Sequence, residues 1–184
     1  RNGELINIKY RAKDKDFKLY KDAELIFYNL DCTIDNETII IVEGEMDALA
    51  LYECGLKNVI SVPNGATTQK VNLEYLDNCI DSFTKDTKFI LALDNDKPGL
   101  NLQDELARRL GYENCSKVHF KDCKDANECL IKYGIQGIIE SKNDFKQFPI
   151  EGVYTISDLS DSIIDMYHNG LDKGVSLQIE GFDL

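Results

Sequence analysis

Two short apolar runs that end in carboxylates constrain the fold of this chain more than any other feature. The runs and the acidic residues that follow them are Ile39–Val42 with Glu43 and Asp47, and Phe89–Leu93 with Asp94 and Asp96. In a parallel sheet the carboxyl ends of neighbouring strands share one crevice, so these carboxylates are expected to lie close together. Crowded carboxylates repel one another unless a cation lies between them. The spacing therefore predicts a metal site for Mg²⁺ or Mn²⁺ and, with it, phosphate chemistry.

Strand-like and helical patterns alternate between residues 38 and 142 and predict an α/β fold. The predicted strands are Thr38–Val42, Val59–Val62, Lys88–Leu93 and Lys117–Phe120. The predicted helices are Glu45–Cys54, about Val71 to Phe83, Gly99–Leu110, Ala126–Tyr133 and Ile135 to about Lys142. Short connections and right-handed crossovers turn this order into an open, mostly parallel sheet flanked by helices.

The segments on either side of this pattern are predicted to be smaller units. Leu5–Tyr10 and Phe17–Tyr20 alternate around a charged turn, which favours a β hairpin. Ser157–Tyr167 has the spacing of an amphipathic helix, which could pack on its own domain or on a neighbouring subunit. The predicted organisation is a β appendage at residues 1–37, the α/β domain at 38–148, and a C-terminal linker segment at 149–184.

Composition narrows the class of protein. Of the 184 residues 43% are hydrophobic, which is enough for a packed core. No apolar run approaches the roughly 18 residues that a membrane helix needs. The six cysteines form no Cys-x-x-Cys pair, which argues against a zinc ribbon and is typical of free thiols in a reducing cytosol. We therefore expect a cytoplasmic protein without a membrane partner.

Charge is distributed unevenly along the chain. The formal net charge of −12 argues against strong nucleic-acid binding by the whole surface. One segment near the N-terminus is nevertheless basic, and its first members are Lys9, Arg11, Lys13 and Lys15. A solvated hairpin and a nucleic-acid contact explain this segment equally well.

A third acidic corner follows the fourth predicted strand. Asp125 is followed three residues later by Glu128, which is the spacing of a capping box at the start of a helix. The alternative role of Asp125 is as a further member of the carboxylate cluster. Glu43 has a similar ambiguity, because a carboxylate at a helix start also complements the helix dipole.

Three segments, in this order and spacing, resemble the Toprim domain of bacterial-type primases, type IA and II topoisomerases, and some nucleases and recombination proteins. They are Val42–Asp47, Ser61–Ala66 and Leu93–Gly99. Lys124–Glu128 narrows the resemblance to phage-type primase-helicases and the related mitochondrial helicase Twinkle. Arg11–Lys18 is similar to the segment that precedes Toprim in those proteins. The Toprim resemblance covers about residues 38 to 133.

The resemblance implies a metal-dependent catalytic centre. Glu43 corresponds to the catalytic glutamate, as a metal ligand or a general base, while Asp94 and Asp96 correspond to the residues that hold Mg²⁺. Asp47 and Asp125 match further acidic positions of the primase subgroup. The implied reaction is template-directed addition of ribonucleotides to an RNA primer during DNA replication.

The resemblance also implies partners and a location. A groove for the single-stranded DNA template would be bordered by Lys9, Arg11, Lys13 and Lys15. Independently of the resemblance, Lys70 is a candidate to reach a ribonucleoside triphosphate, although a plain surface lysine is the safer interpretation. The expected location is the cytoplasm of a bacterium or of a phage-infected cell.

Two parts of such an enzyme have no counterpart in this sequence. The zinc-binding template reader is absent, and no Gly-Lys-Ser or Gly-Lys-Thr phosphate loop of a helicase occurs. We therefore expect a fragment whose missing primase and helicase domains belong to a longer parent chain. Residues 1–37 would end the N-terminal subdomain of the primase, and residues 149–184 would lead towards a helicase that forms a ring of identical subunits.

Two other functions are compatible with the same motifs. A Toprim nuclease or a topoisomerase fragment would share the metal centre, and a topoisomerase would add a tyrosine nucleophile from another domain. A catalytically inactive Toprim module of a replicative helicase is the non-enzymatic alternative. The residues that argue against an inactive module are Glu43, Asp94, Asp96 and Asp125.

Overall fold

The computed structural model describes residues 1–13, 17–66, 72–149, 152–154 and 156–170. The chain divides into two units, residues 1–148 and residues 149–184. Throughout the described ranges, each helix is either too short or too polar to span a lipid bilayer.

Seven strands occur in the described part of the first unit, and they belong to two sheets. In chain order they are β1 (Lys9–Arg11), β2 (Phe17–Leu19), β3 (Thr38–Val42), β4 (Val59–Ser61), β5 (Lys88–Leu91), β6 (Cys115–Lys117) and β7 (Lys146–Gln147). β1 and β2 form an antiparallel pair, which confirms the predicted hairpin, although β1 begins at Lys9 and not at Leu5. The other strands form one five-stranded sheet in the order β4, β3, β5, β6, β7.

The five-stranded sheet is parallel except at one edge. β4, β3, β5 and β6 run in the same direction, and β7 is antiparallel to β6. The register pairs Ile41 with Ile60 on one side and with Leu91 on the other. The three strands therefore end at nearly the same level, and the residues that follow them share one edge of the sheet. This arrangement confirms the predicted open, mostly parallel sheet.

Helices cover both faces of this sheet. They are α1 (Glu45–Glu53), α2 (Glu74–Asp77), α3 (Lys97–Leu110) and α4 (Ala126–Asn143), and the second unit contains α5 (Ile156–Asn169). Gly134 has non-helical backbone angles (φ 65°, ψ −168°) and divides α4 into two pieces, as the sequence predicts. α5 has slightly wider bounds than the amphipathic helix predicted at Ser157–Tyr167.

Two apolar clusters, one on each face, hold the sheet and its helices together. Alternate residues of β3 point to opposite faces, so Ile41 belongs to one cluster and Ile40 to the other. The cluster of Ile41 includes Leu106 of α3, while the cluster of Ile40 includes Leu51 of α1 and Ile138 of α4. Burial on both faces explains why the β3 sequence is apolar throughout.

The fourth strand differs from its prediction. It spans Cys115–Lys117 rather than Lys117–Phe120. Val118 donates one further backbone hydrogen bond to the Leu91 carbonyl at 3.0 Å, and the chain then leaves the sheet while Val118 and Phe120 remain buried. The apolar pattern of this segment therefore indicated burial and not strand pairing.

The helix predicted from about Val71 to Phe83 is also wrong in its extent. The described part of that segment contains only the single turn of α2 and a 3-10 turn at Ile80–Ser82. Directly after α2, the side chain of Asn78 donates a hydrogen bond to the distant Leu25 carbonyl at 2.9 Å. A polar side chain that bonds to backbone elsewhere favours a turn over a continued helix.

Truncation of a core leucine in α3 tests this packing. Leu106 is fully buried (0% exposed), so L106A should lower the free energy of unfolding by about 2–5 kcal/mol through lost burial and a residual cavity. Leu100 lies in the same helix at 43% exposure, so L100A should cost less than about 1 kcal/mol. Urea unfolding followed by circular dichroism measures both variants, and equal losses would contradict the described packing.

Candidate metal centre

Several elements bring carboxylates to the carboxyl edge of the parallel sheet. Glu43 directly follows β3, and Asp47 lies in the first turn of α1. Asp94 follows β5, and Asp96 is the N-cap of α3. Asp125 is the N-cap of α4, after the loop that leaves β6. The register of the strands thus places all five predicted acidic residues at the same edge.

Three of these carboxylates are close enough to share one cation. Asp47, Asp94 and Asp125, here called the acidic triad, each place a carboxylate oxygen within 4.8 Å of the other two. Glu43 and Asp96 lie outside the triad but near Asp94, with which both interact electrostatically. The structure therefore separates the five predicted residues into a central group of three and two neighbours.

A shared hydrogen-bonding pattern holds four of the five carboxylates. In each of them one oxygen accepts a backbone N–H, and among the described residues the second oxygen has no backbone donor. The pairs are Glu43 Oε1 with Ala66 N (2.8 Å), Asp47 Oδ1 with Asn127 N (3.0 Å), Asp96 Oδ1 with Gly99 N (3.0 Å) and Asp125 Oδ1 with Glu128 N (2.7 Å). Carboxylates that are fixed through one oxygen can bind a cation through the other with little reorganisation.

Asp125 has the geometry for both of its predicted roles. It caps α4 through Glu128 N, and its carboxylate belongs to the acidic triad. The reciprocal bond differs from a standard capping box, because Glu128 Oε2 accepts the backbone N–H of Lys124 at 2.7 Å.

Asp94 is held by a lysine instead of the backbone. Its Oδ2 lies 2.9 Å from Lys124 Nζ, and no backbone N–H of the described residues donates to its side chain. The same ammonium lies 3.1 Å from Asp96 Oδ2. Asn95 donates its backbone N–H to the Lys124 carbonyl at 2.7 Å, which fixes the two loops against each other.

Burial and mutual repulsion make the innermost carboxylates hard to ionise. Burial raises the pKa of Asp47 from 3.8 to about 7, and the charges of neighbouring carboxylates add to that rise. Burial, followed by the charge of Asp94, also raises the pKa of Glu43. Burial raises the pKa of Asp94 as well, although Lys124 opposes this change. A cation at this edge would relieve the repulsion.

Asp96 and Lys124 are the members of the centre whose charged forms are favoured. Partial burial opposes the ionisation of Asp96, but the Gly99 N–H and the Lys124 ammonium together lower its pKa. Hydrogen bonds to Asp94 and then to Asp96 raise the pKa of Lys124. A positive charge is therefore already present at the acidic edge of the sheet.

The donor set fits a divalent metal ion. Glu43 Oε2 is buried and has no hydrogen-bond partner among the described residues. A buried carboxylate oxygen without a partner is costly unless a cation or water satisfies it. All of the candidate ligands are carboxylate oxygens, the type that hard divalent cations prefer. The acidic triad and the neighbouring Glu43 oxygen thus suit such an ion.

Two glycines allow this edge to be crowded. A Cβ atom added to Gly44 would lie 2.9 Å from Asp47 Oδ2. A Cβ atom added to Gly99 would lie 2.2 Å from the Asp94 carbonyl oxygen, which is rigid backbone. Glycine at these two positions therefore allows the close approach of the acidic residues and their backbone.

Three of the residues predicted to contact nucleic acid are described by the structure: Lys9 and Arg11 lie on β1, and Lys13 lies in the turn after it. Arg11 and Lys13 are exposed, whereas Lys9 is half-buried and pairs with Glu45 of α1 at 2.8 Å. Lys9 and Arg11 also lie over the exposed ring of Phe17, at 5.0 and 5.6 Å from its centroid. Lys9 therefore joins the hairpin to the α/β domain. Outside the described residues lie Lys15 and Lys70.

Lys124 is the residue of this centre that sequence interpretation misses. In the sequence Lys124 is the first residue of the Lys124–Glu128 motif and has no assigned role of its own. The available signal was a basic residue directly before the acidic N-cap Asp125, although its partners Asp94 and Asp96 follow a different strand. The backbone donors of Ala66 and Asn127 carry no such signal, since every residue other than proline has an N–H.

Comparisons with other sequences identify relatives of this arrangement. Residues 40–130 match the sequence model of the Toprim-like family. A protein of Arabidopsis thaliana named Twinkle homolog protein, chloroplastic/mitochondrial, is 35% identical over 98% of this chain and 28% of its own length. The DNA helicase/primase of Enterobacteria phage T3 is 31% identical over 88% of this chain and 28% of its own length. These matches confirm the resemblance inferred from the motifs, and this chain spans only part of either relative.

Solved structures share the fold. The primase fragment of the bacteriophage T7 primase-helicase has a TM-score of 0.63 at 28% identity, covering 77% of this chain and 59% of that fragment. A T7 lagging-strand DNA polymerase structure includes primase domains of two gp4 subunits bound to an RNA/DNA hybrid and dTTP. It has a TM-score of 0.64 at 27% identity, covering 80% of this chain and 74% of the matched chain. The Aquifex aeolicus primase supports the fold alone, with a TM-score of 0.60 at 19% identity over 91% of this chain and 41% of that chain.

The raised pKa of Asp47 predicts a pH-dependent stability. The folded protein holds this proton more tightly than the unfolded chain, so the contribution to stability is complete below about pH 4 and is lost as pH rises towards about 7. Each unit of pKa difference corresponds to about 1.4 kcal/mol. In metal-free buffer, D47N should therefore lose less stability than the wild type over this range.

Urea unfolding between pH 4 and 8 in the presence of EDTA measures this difference. Asn retains an oxygen that accepts the Asn127 N–H, so the variant removes the titration while keeping the hydrogen bond. D35N, at an exposed position outside the centre, serves as the matched control and should follow the wild type. Parallel curves for D47N and the wild type would contradict the buried, protonated state of Asp47.

Proposed function

Residues 40–130 belong to the Toprim-like family, and from that membership we propose that this chain is the catalytic Toprim part of a DNA primase or primase-helicase. It transfers nucleotides from ribonucleoside triphosphates and makes RNA primers on single-stranded DNA during replication. Relatives named DNA helicase/primase and Twinkle homolog protein support this proposal. The 28% identity to the T7 primase fragment supports it as well.

The observation that carries the proposal is the acidic triad at the ends of the parallel strands, with its oxygens within 4.8 Å of one another. Asp47, Asp94 and Asp125 hold Mg²⁺ or Mn²⁺, which, when bound, supplies positive charge to the triphosphate and the leaving pyrophosphate. Asp96 supports the same site from beside Asp94. The backbone bonds to Asp47 and Asp125 keep these ligands in place before any substrate arrives.

We assign to Glu43 the role of proton acceptor for the attacking 3′-hydroxyl of the primer. Its Oε1 is fixed by the Ala66 N–H at 2.8 Å, while its Oε2 is buried and unpartnered. Burial and the charge of Asp94 raise its pKa, which brings a carboxylate closer to the basicity of an effective general base near neutral pH. Glu43 lies outside the acidic triad, which leaves it free for proton transfer.

Template and substrate binding involve the basic hairpin. Arg11, Lys13 and Lys15 border the groove for single-stranded DNA, with Lys9 fixing the hairpin to α1. Lys70 contacts the triphosphate. The net charge of −12 makes DNA binding by these residues alone weak at physiological salt. The other primase and helicase domains of the parent chain therefore supply most of the template surface.

The primase proposal also assigns roles to the segments on either side of the Toprim domain. Residues 1–37 end the N-terminal primase subdomain, residues 38–148 are the Toprim domain, and residues 149–184 lead towards a helicase that assembles identical subunits into a ring. The proposed location is the cytoplasm of a bacterium or a phage-infected cell. A plant relative named chloroplastic/mitochondrial makes an organelle the alternative.

Divalent ions should stabilise the chain through the acidic triad. At a free concentration of about a hundred times Kd, a bound ion adds about 2.7 kcal/mol to the free energy of unfolding, which raises the melting temperature. D94N should remove most of that increase, because it neutralises a member of the triad. D86N changes an exposed residue just before β5, at the opposite end of that strand, and should respond like the wild type.

Thermal melts with and without Mg²⁺ or Mn²⁺ measure these shifts in residues 1–184. An identical response of D94N and the wild type would place any bound ion elsewhere and would remove the main support for the proposed centre.

Loss of the proton acceptor should abolish primer synthesis without unfolding the protein. E43Q keeps an oxygen for the Ala66 N–H but cannot accept a proton, so we expect a loss of about 100-fold or more. The measurement is incorporation of labelled ribonucleotides on single-stranded DNA by the parent protein that contains this chain, with D86N as the control. DNA cleavage or relaxation without any primer synthesis by the unmutated protein would overturn the primase proposal in favour of a nuclease or topoisomerase.

A further inference from the structure

Lys124 lies in the candidate metal centre, but the proposed reaction assigns no role to it. Its ammonium lies 2.9 Å from Asp94 Oδ2 and 3.1 Å from Asp96 Oδ2. The side chain is half exposed (52%), whereas that of Asp94 is nearly buried at 12%. A half-exposed ammonium is thus paired with a nearly buried carboxylate of the acidic triad.

We propose that Lys124 is an exchangeable counter-cation of the metal centre. Its ammonium neutralises Asp94 and Asp96 while no divalent ion is bound, leaves them when the ion binds, and then contacts the phosphates of the incoming triphosphate. This inference rests on the proposed metal centre and adds a residue that links metal binding to nucleotide binding.

The pattern of hydrogen bonds supports the first half of the proposal. The other four carboxylates of the centre are each anchored by a backbone N–H, which a metal ion cannot displace. Among the described residues Asp94 has Lys124 in place of such a donor, so its anchor is a flexible side chain that can move away. Asp94 also belongs to the acidic triad, so the ammonium and a divalent ion compete for the same carboxylate.

The position of the Lys124 backbone supports the second half of the proposal, which is the contact of its ammonium with phosphate. Its N–H bonds to Glu128 Oε2 at 2.7 Å, and its carbonyl accepts the Asn95 N–H at 2.7 Å. The backbone therefore stays at the rim of the centre when the side chain moves. A lysine held there can reach an anion that binds over the same carboxylates, and lysine suits phosphate as a compact, flexible charge.

Metal binding without nucleotide tests the exchange. Mn²⁺ binding to residues 1–184 is followed by electron paramagnetic resonance of the free ion. K124M should bind Mn²⁺ about tenfold more tightly than the wild type, since a competing positive charge has been removed. K124R keeps the charge and should stay within about twofold of the wild type.

A matched control separates this effect from net charge. Lys121 lies on the same loop but pairs with Glu140 at 2.7 Å, so K121M removes one charge away from the acidic triad. K121M should bind Mn²⁺ with nearly wild-type affinity. Circular dichroism of each variant verifies that the fold is retained, and K124Q provides a second substitution if K124M is poorly folded.

Nucleotide binding tests the contact with phosphate. With Mn²⁺ saturating for each variant, ATP should bind K124M about tenfold more weakly than the wild type, measured by isothermal titration calorimetry. Tighter metal binding combined with weaker ATP binding is the expected result. If the ion pair were purely structural, K124M would instead weaken the binding of both Mn²⁺ and ATP, and this outcome would overturn the proposal.

The remaining outcomes are equally decisive. Unchanged Mn²⁺ affinity in K124M overturns the exchange, and unchanged ATP affinity overturns the contact with phosphate. If the wild type binds no Mn²⁺ at all, the proposed metal centre fails and the exchange fails with it. If the wild type binds Mn²⁺, D94N does not, and K124M matches the wild type, the metal centre stands and only the role of Lys124 is lost.

Discussion

Repulsion between carboxylates gathered at one sheet edge is the constraint on which the rest of this structure depends. Three aspartates lie with oxygens within 4.8 Å, and burial together with their charges raises the pKa of Asp47 to about 7. Such a cluster is stable only if other groups hold and neutralise its members. Backbone N–H groups hold four carboxylates, and the Lys124 ammonium holds Asp94. The loops after β3, β4 and β5 and the starts of α3 and α4 are therefore organised around this edge.

The apolar core makes that crowding tolerable. β3 and β5 are buried on both faces, so their ends cannot move apart without exposing the two clusters that contain Ile40 and Ile41. Rigid strands thus impose the proximity of the acidic residues, and the energy of burial offsets the cost of bringing like charges together. Gly44 and Gly99 complete the arrangement, because a Cβ atom at Gly44 would crowd the Asp47 carboxylate and one at Gly99 would collide with the Asp94 backbone.

Sequence patterns predicted most of the fold because each buried strand and helix has a local signal. The apolar runs located β3, β4 and β5, and the break at Gly134 was visible as a glycine between two helical patterns. Features that depend on distant contacts were missed. β7 is two polar residues, Lys146 and Gln147, and exists only because the edge of β6 is available. The carboxylates of the centre could be predicted because they follow the ends of apolar strands. Their grouping into a triad with two neighbours depends on the directions of the side chains, which cannot be inferred from the sequence.

The crowded carboxylates repel one another when no ion is bound, and the same carboxylates would make the binding of a divalent ion favourable. Burial raises the pKa of Asp47 to about 7, and Asp94 is paired with a lysine, so in the proposed centre a divalent ion would displace a proton from the first and an ammonium from the second. Each displacement would lower the net affinity of the proposed centre for the ion. The displaced ammonium would then lie beside a bound cation and would favour a nearby anion. In the proposed exchange a triphosphate would supply that anion, so metal and nucleotide binding would reinforce each other through the charge balance of one loop.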